Sequence, residues 1–403
     1  MTAPSHIVLF DSDCREHLLP LTYTRPVAAL RVGILTIKEK YEQLLPTLPV
    51  SYLTQDHLSK LFPILYGERN LLINGNILPD RDFINWATSI ELGTAYVREG
   101  ELVATHLDQE AILGLLDGGE FGNIEVREFR EEGISRIERP ADIFRQNDAA
   151  IRSDFTLLTA GRESQPLSAS NTLIGSTDQL FIEEGANIEA ATLNVKSGPI
   201  YIGKDAVVLE GCLMRGPISI GAGSALKMGA KIYGATTLGP QCKVGGEVNN
   251  VVFQANSNKS HDGYLGNAVI GQWCNIGADT NASNLKNDYS EVRVWSYPEG
   301  RFARTGLQFH GLVMGDHSKA GINTMFNTGS VIGVSANIFG EGFPRTFIPS
   351  FSWGGSNGFQ TYRLDKALAT IERVMARRDK VLSEDEREML THVFEESAEY
   401  RPK

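Results

Sequence analysis

Between residues 202 and 244 an apolar side chain returns at every sixth position: Ile202, Val208, Met214, Ile220, Leu226, Ile232, Leu238 and Val244. Four residues after most of these stands a small one, at Ala206, Cys212, Ser224, Ala230, Thr236 and Cys242, with Ile218 and Val248 as larger exceptions. Glycine follows every third apolar residue, at Gly203, Gly221 and Gly239. The phase resumes at Ile270 and Ile276, then at Met314, Ala320, Phe326, Ile332 and Ile338. A short repeat of this kind predicts a parallel β-helix of triangular section over residues 171–354. Each hexapeptide is one face and three faces make a turn of 18. The apolar residue points inward, the small one fits near a corner, and glycine supplies backbone freedom there. Stacked coils then bury one continuous core.

The flanking chain has other periods. Over residues 1–160, short apolar runs of strand type ("HIVLF", "VSYLT", "NLLING") alternate with helical patterns such as "LRVGILTIKEKYEQLL" and "DRDFINWATSI". "TAYVREGELVATHL" reads as a hairpin turning at Glu99-Gly100. Strands alternating with helices predict an α/β domain with a mainly parallel sheet. "PADIFRQNDAAIRSDFTLL" reads as a helical bridge out of it. Residues 361–403 return to helix, with Leu364, Leu368, Ile371, Val374 and Met375 on one stripe. Ser383 and Glu386 there have the spacing of a capping box.

The chain has 403 residues and a net charge of −11. An acidic chain has no general attraction for nucleic acid or anionic membranes. Its four cysteines form no C-x-x-C pair and read as reduced thiols. No secretory leader and no run of membrane-spanning length is legible, so the expectation is a cytoplasmic protein.

Two polar, aromatic stretches interrupt the hexapeptides, at 251–267 and 285–307. The first holds "SNKSHDGYLG", with Lys259, His261 and Tyr264 close together. Histidine is the side chain best suited to accept a proton near neutral pH. Lys259 and Tyr264 beside it suit a phosphate or hydroxyl. The expectation is that the flat-faced prism makes its site from loops leaving its corners, against a second prism.

The stretch "KSHDGYLGNAVIGQWCNIGADTNASN" resembles the acetyltransferase half of the bifunctional N-acetylglucosamine-1-phosphate uridyltransferase/glucosamine-1-phosphate acetyltransferase family. The resemblance implies that His261 is the base that deprotonates a sugar amine. Tyr264 and Asn275 would contact the sugar phosphate, while Ala278 and Asn284 would lie by the acetyl group and coenzyme A. Along nearly all of residues 6–354 the chain is similar to the alternative, GlmU-like branch of sugar nucleotidyltransferases. That similarity rests on "LLPLTYTRPVAALRVGILTI", "RPADIFRQN", "KMGAKIYGATTLGP", "GLVMGDHSKAGINTMFNTG" and "GFPRTFIPSFSWGG". It implies a short, Rossmann-like nucleotidyltransferase domain followed by a left-handed β-helix that assembles as a homotrimer.

Three departures from the family pattern are legible. "FDSDCREHLLPLT" has no glycine where a phosphate-cradling loop is expected. Asn76, in "LLINGNILPD", stands where these enzymes place a magnesium-binding aspartate, with Asp80 close in sequence. "VGGEVNNVV" lacks the family's basic residues, although Lys227 and Lys231 lie upstream. The nucleotide-site expectation falls on Arg25, Arg31, Asn74, Gly75 and Asn76, with metal ligands open. The combined reading is acetyl-CoA-dependent N-acetylation of a hexosamine 1-phosphate, such as glucosamine 1-phosphate. It is coupled to nucleotidyl transfer from a nucleoside triphosphate, giving a UDP-GlcNAc-type product, and Mg²⁺ enters if that second activity operates. Two alternatives stay open: a nucleotidyltransferase with a structural β-helix, and a non-catalytic scaffold that binds sugar nucleotides.

Overall fold

The computed structural model describes residues 3–118, 124–130 and 133–402. They fall into two compact units. The first comprises Met1–Leu18, Arg25–Leu30 and Leu35–Arg139, the second Leu19–Thr24, Arg31–Ile34 and Pro140–Lys403.

The first unit holds a six-stranded sheet built from β1 (His6–Phe10), β2 (Val50–Leu53), β3 (Arg69–Asn74), β4 (Thr94–Arg98), β5 (Glu101–Asp108) and β6 (Glu125–Glu128). Their order is β2-β1-β3-β5-β4-β6. β1 runs parallel to β2 and β3, and β4 parallel to β6, but β5 is antiparallel to both of its neighbours. The sheet is therefore mixed. The hairpin β4–β5 turns at Glu99-Gly100, whose φ angles of 54° and 84° match a primed two-residue turn. Ile7, Val8, Leu9, Leu71, Leu72 and Ile73 are all buried, as expected for strands covered on both faces.

The helix expected over 30–45 is confined to Ile37–Leu44, opened by a Thr36/Glu39 capping box. The preceding residues are drawn elsewhere. The backbone N–H groups of Arg31, Gly33 and Ile34 donate to Gln254 Oε1, Asn147 Oδ1 and Asp154 Oδ2, at 2.7, 2.8 and 2.8 Å. Side-chain acceptors that capture successive N–H groups leave none for a helical ladder.

The second unit is a parallel β-helix of about ten turns over residues 172–354, flanked by helices. Ile202 pairs with Ile220, and Ile220 with Leu238, so the three stack on one face as the spacing predicts. Val208, Leu226 and Val244 stack on a second face, and Met214 and Ile232 on a third. All are at most 2% exposed. A fully buried side chain of this size contributes about 1.5–3 kcal/mol. The glycines do a different job from the expected one. Gly203, Gly221 and Gly239 do not have positive φ. A Cβ on Gly239 would lie 1.9 Å from the Gln254 carbonyl oxygen, and one on Gly221 2.6 Å from the Gly239 carbonyl carbon. Glycine is required there because the next coil's backbone passes too close for any side chain.

The stretch 251–267 is not a loop leaving the prism. Leu238 pairs with Phe253 and Phe253 with Ile270, steps of 15 and 17 residues in place of 18. Val251, Val252 and Phe253 are wholly buried, so the coil continues through the irregularity. The true excursion is the second stretch. An isolated bridge joins Leu285 to Phe309, and between them Arg293–Ser296 and Arg301–Arg304 form an antiparallel hairpin. Trp295, near its turn, stacks on Phe347 at 4.1 Å between centroids.

The helices Pro140–Arg145 and Asn147–Thr159 are counted with the β-helix unit. So are Leu364–Ala376 and Glu384–Glu396, the latter opened by the Ser383/Glu386 capping box. Among the described residues, no helix is long and apolar enough to cross a membrane.

Candidate functional site

The outward residues of the three faces have different fates. On the first face the outward column runs Tyr201, Ser219, Thr237, Val252, Val269, Val313 and Val331. Each is at most 8% exposed. Thr237 Oγ1 donates to Gly33 O at 3.0 Å, and Asn147 Nδ2 to Ala235 O at 2.6 Å, so this face is covered by the chain's own earlier segments. The second face meets the C-terminal region. Arg378 donates to Asn258 Oδ1 at 2.8 Å and lies over the Trp273 ring. The third face carries Leu213, Lys231, Glu247, Tyr264 and Asn281 in one outward column, with Arg215, Tyr233 and Asn249 beside it. Leu213 is 52% exposed, and Arg215 and Lys231 are exposed with it. A groove of about 390 Å³ is lined by Leu213, Met214, Arg215, Lys231, Ile232 and Tyr233, among others.

His261 sits on the corner between the second face, which ends at Lys259, and the third, which begins at Tyr264. Its side chain is exposed. On the next coil Asp279 N donates to Asp262 O at 3.0 Å, and Tyr264 N donates to Asn281 Oδ1 at 2.8 Å. The corner carrying Ala278 therefore stacks directly on the corner carrying His261. Asn284 Nδ2 donates to Tyr264 Oη at 3.1 Å and to Asn267 Oδ1 at 2.7 Å. The contact leaves the Tyr264 hydroxyl proton for a ligand. With the Asn250 amide turned to satisfy both its ends, Asn267 Nδ2 donates to it at 3.0 Å and its own Nδ2 to Phe144 O at 2.9 Å. Asn250, Asn267 and Asn284 thus form a one-way ladder along the prism. Their spacing of 17 was open to sequence reading; it lies hidden because it belongs to the shortened coils and not to the regular 18.

Lys259 occupies an inward position. It pairs with Val244 and continues the column of Val208 and Leu226, at 1% exposure. Its ammonium donates to His261 O at 2.8 Å and Gly245 O at 3.1 Å. Burial, the main cause, pulls its pKa down to about 8. Asn275 is exposed on the second face, one corner away from Tyr264 on the third. Tyr264 and Asn284 are bonded to each other, the His261 and Ala278 corners stack at one edge of the same face, and Asn275 lies on the second face. Arg215 and Glu247 of the third face were not singled out from the sequence. Tyr233 Oη donates to Glu247 Oε1 at 2.6 Å, and that bond is the first cause of a tyrosine pKa raised to about 12.

The nucleotide-site expectation meets a different geometry in the first unit. Arg25 is 3% exposed; Arg31, 7% exposed, belongs to the other unit and donates to Gln254 O and Ile34 O. Neither residue stands on an open surface. Asn74 is wholly buried, with Nδ2 on Glu101 Oε1 at 3.0 Å and on Leu102 O at 3.2 Å. Gly75 N donates to Phe10 O at 2.8 Å, and Asn76 is wholly buried. Asp80 is spent as a helix cap, accepting from Phe83 N at 2.8 Å. Beside the end of β1 lies a cleft of about 540 Å³ lined by Ser12, Asp13, Cys14, His17, Glu99, Glu101, Glu138 and Arg139, among others. Glu101 is tied to Ser12 and Arg136, at 2.8 and 3.2 Å. The Cys14 thiol is pushed up to about 12, chiefly by burial, and is no nucleophile at neutral pH.

Residues 7–163 match the family model of sugar nucleotidyl transferases. The bifunctional protein GlmU of Geotalea uraniireducens is 30% identical over 171 residues, 37% of this chain and 37% of the relative. That of Synechococcus elongatus is 26% identical over 226 residues, 53% of this chain and 46% of the relative. The bifunctional sugar-1-phosphate nucleotidylyltransferase/acetyltransferase of Sulfurisphaera tokodaii is 32% identical over 163 residues, 40% and 39% respectively. The matched part thus spans less than half the length of these curated relatives. A solved Arabidopsis UDP-N-acetylglucosamine acyltransferase aligns over 53% of this chain and 77% of its own, at 12% identity and a TM-score of 0.23.

Proposed function

We propose that this GlmU-like chain, with a sugar nucleotidyl transferase domain over residues 7–163, is a transferase of sugar-nucleotide biosynthesis whose β-helix acetylates the amine of a hexosamine 1-phosphate. One observation carries the reading. The exposed His261 stands on a corner whose backbone is bonded to the next coil, at the edge of a prism face that stays polar and accessible. His261 takes a proton from the amine, whose nitrogen attacks the thioester carbonyl of acetyl-CoA. The C–S bond breaks, and the proton passes to the departing thiolate. Asn284, with both side-chain N–H groups on Tyr264 Oη and Asn267 Oδ1, holds the tyrosine in place beside the acetyl group. Tyr264 orients the sugar. Lys231, two rungs along at about 4.8 Å per rung, stands about 10 Å away and suits the sugar phosphate.

A trimer completes this site. Tyr264 and Asn275 lie on different faces of one prism, which supports a reading in which a second copy helps to hold the sugar. The left-handed coil and acetyl-CoA belong to the same reading.

Nucleotidyl transfer by the first unit is the fuller form of the proposal, and one feature opposes it. The cleft beside β1 presents Asp13, Glu99, Glu101 and Glu138 against Arg139 and His17. That balance repels a triphosphate. Among the described residues, no three of these carboxylates bring oxygens within 4.8 Å of one another, and Asn76 is buried, so the residues do not fit a preformed Mg²⁺ site. This favours a first unit that binds a sugar or sugar nucleotide without transferring a nucleotidyl group.

The test is an assay of purified protein with glucosamine 1-phosphate, acetyl-CoA and each nucleoside triphosphate, read by mass. N-acetylated sugar phosphate is the expected product. Pyrophosphate release without acetyl-CoA consumption would select the nucleotidyltransferase reading. Binding of the panel without turnover would select the scaffold.

A further inference from the structure

The second-face column Val208, Leu226, Val244, Lys259 contains one charged residue at a core position. A bare ammonium among aliphatic side chains is unfavourable unless it is fully used. The reason for it lies in the corner below. From Leu226 to the next face at Lys231 the corner takes four residues, and from Lys259 to Tyr264 it also takes four. From Val244 to Glu247 it takes only two, Gly245 and Gly246. The His261 corner therefore overhangs a corner too short to support it.

Elsewhere corner bonds to corner through the backbone. Gly211 N donates to Ala190 O at 2.9 Å and Gly229 N to Glu210 O at 3.0 Å. Under His261 the lysine ammonium makes the link, bonding Gly245 O below and His261 O above. Gly245 N returns a bond to Lys259 O at 2.7 Å. A Cβ on Gly246 would lie 2.8 Å from the ammonium nitrogen, so the short glycine corner leaves the space that the nitrogen fills.

We propose that Lys259 is a positioning residue: its buried ammonium replaces the missing half of the corner below and sets where His261 stands. It acts through the backbone of His261 and not on substrate. The catalytic part of this inference rests on the acetyl-transfer reading; the positioning part does not.

The experiment compares wild type with Lys259→Met, which keeps an unbranched chain in the column, and with Lys259→Gln. Amide hydrogen exchange should quicken at least tenfold at 260–264 in both variants, with residues 218–238 unchanged. The acetyl-transfer kcat should fall about 10- to 100-fold, while KM for acetyl-CoA stays within about twofold. His261→Ala should lower transfer by about 10²–10⁴ and leave exchange at 260–264 as in wild type. Unchanged exchange at the corner overturns the proposal. So does faster exchange throughout the coil, or failure of both variants to fold, since either makes Lys259 a general folding residue. If wild type acetylates no amino sugar phosphate, the functional reading falls and the exchange result still decides the positioning.

Discussion

The first and third faces of the prism are made by the same coils, in the same register, and end as opposites. Val252 and Val269 on the first face are wholly buried under segments that come from far earlier in the chain. Glu247 and Tyr264, level with them on the third, and Lys231 one coil before stay at least partly open. The inward columns behind both faces are equally apolar. A β-helix therefore differentiates its faces: one is covered by the chain itself and one stays open to a ligand, with the shared core indifferent to either.

The sharpest way to break that division is at the corner. His261→Ala should lower acetyl transfer by about 10²–10⁴. Its melting temperature should hold, because an exposed corner residue carries little packing. Steady-state kinetics beside a thermal scan read both; a variant with full activity removes chemistry from the third face.

A charge placed on the first face should do the reverse. Val269→Asp buries an unpaired carboxylate at a site with 0% exposure and should cost about 3–5 kcal/mol in a denaturant titration. The matching third-face change, Lys231→Asp, should stay within about 0.5 kcal/mol. Equal losses would mean that the third face is covered as well.

The lysine in the core tests the boundary between the faces. Its folded pKa, near 8, lies below the ordinary lysine value of 10.5, with Asp262 and Asp279 as the nearby charges holding it from falling further. Between those pH values the unfolded state binds more protons than the folded one. Stability should therefore rise with pH from about 8 to 10.5, relieving up to about 3 kcal/mol of burial cost. Lys319 is depressed likewise, so the informative quantity is wild type minus Lys259→Met, which cancels it. A difference flat with pH would show that the ammonium is not buried in solution.

The smallest effect belongs to the third-face rim. Lys231→Ala should raise KM for a sugar phosphate about tenfold, near 1.4 kcal/mol, with kcat nearly unchanged. A fall in kcat alone would place the phosphate elsewhere.

Much of this architecture was legible before any coordinates. Period six follows from the geometry of a three-faced coil, so Ile202, Ile220 and Leu238 had to stack once the coil formed. The hairpin at Glu99-Gly100 and the capping box at Ser383 are local, set by turn and cap chemistry within a few residues. His261, Tyr264 and Asn284 were legible through spacing and resemblance; the structure puts His261 at one edge of the third face and bonds Tyr264 to Asn284 across it. Only tertiary structure decided which outward column is covered. Val252 and Val269 look as apolar as the inward Val251 and Ile270, yet their strands lie under the helix Pro140–Arg145, and Thr237 of the same face bonds Gly33, both far away in sequence. The sequence likewise presents Lys259 as a surface cation beside a histidine. Its burial follows from a corner two residues short, 14 positions earlier, because in a stacked coil each corner is supported by the one beneath it.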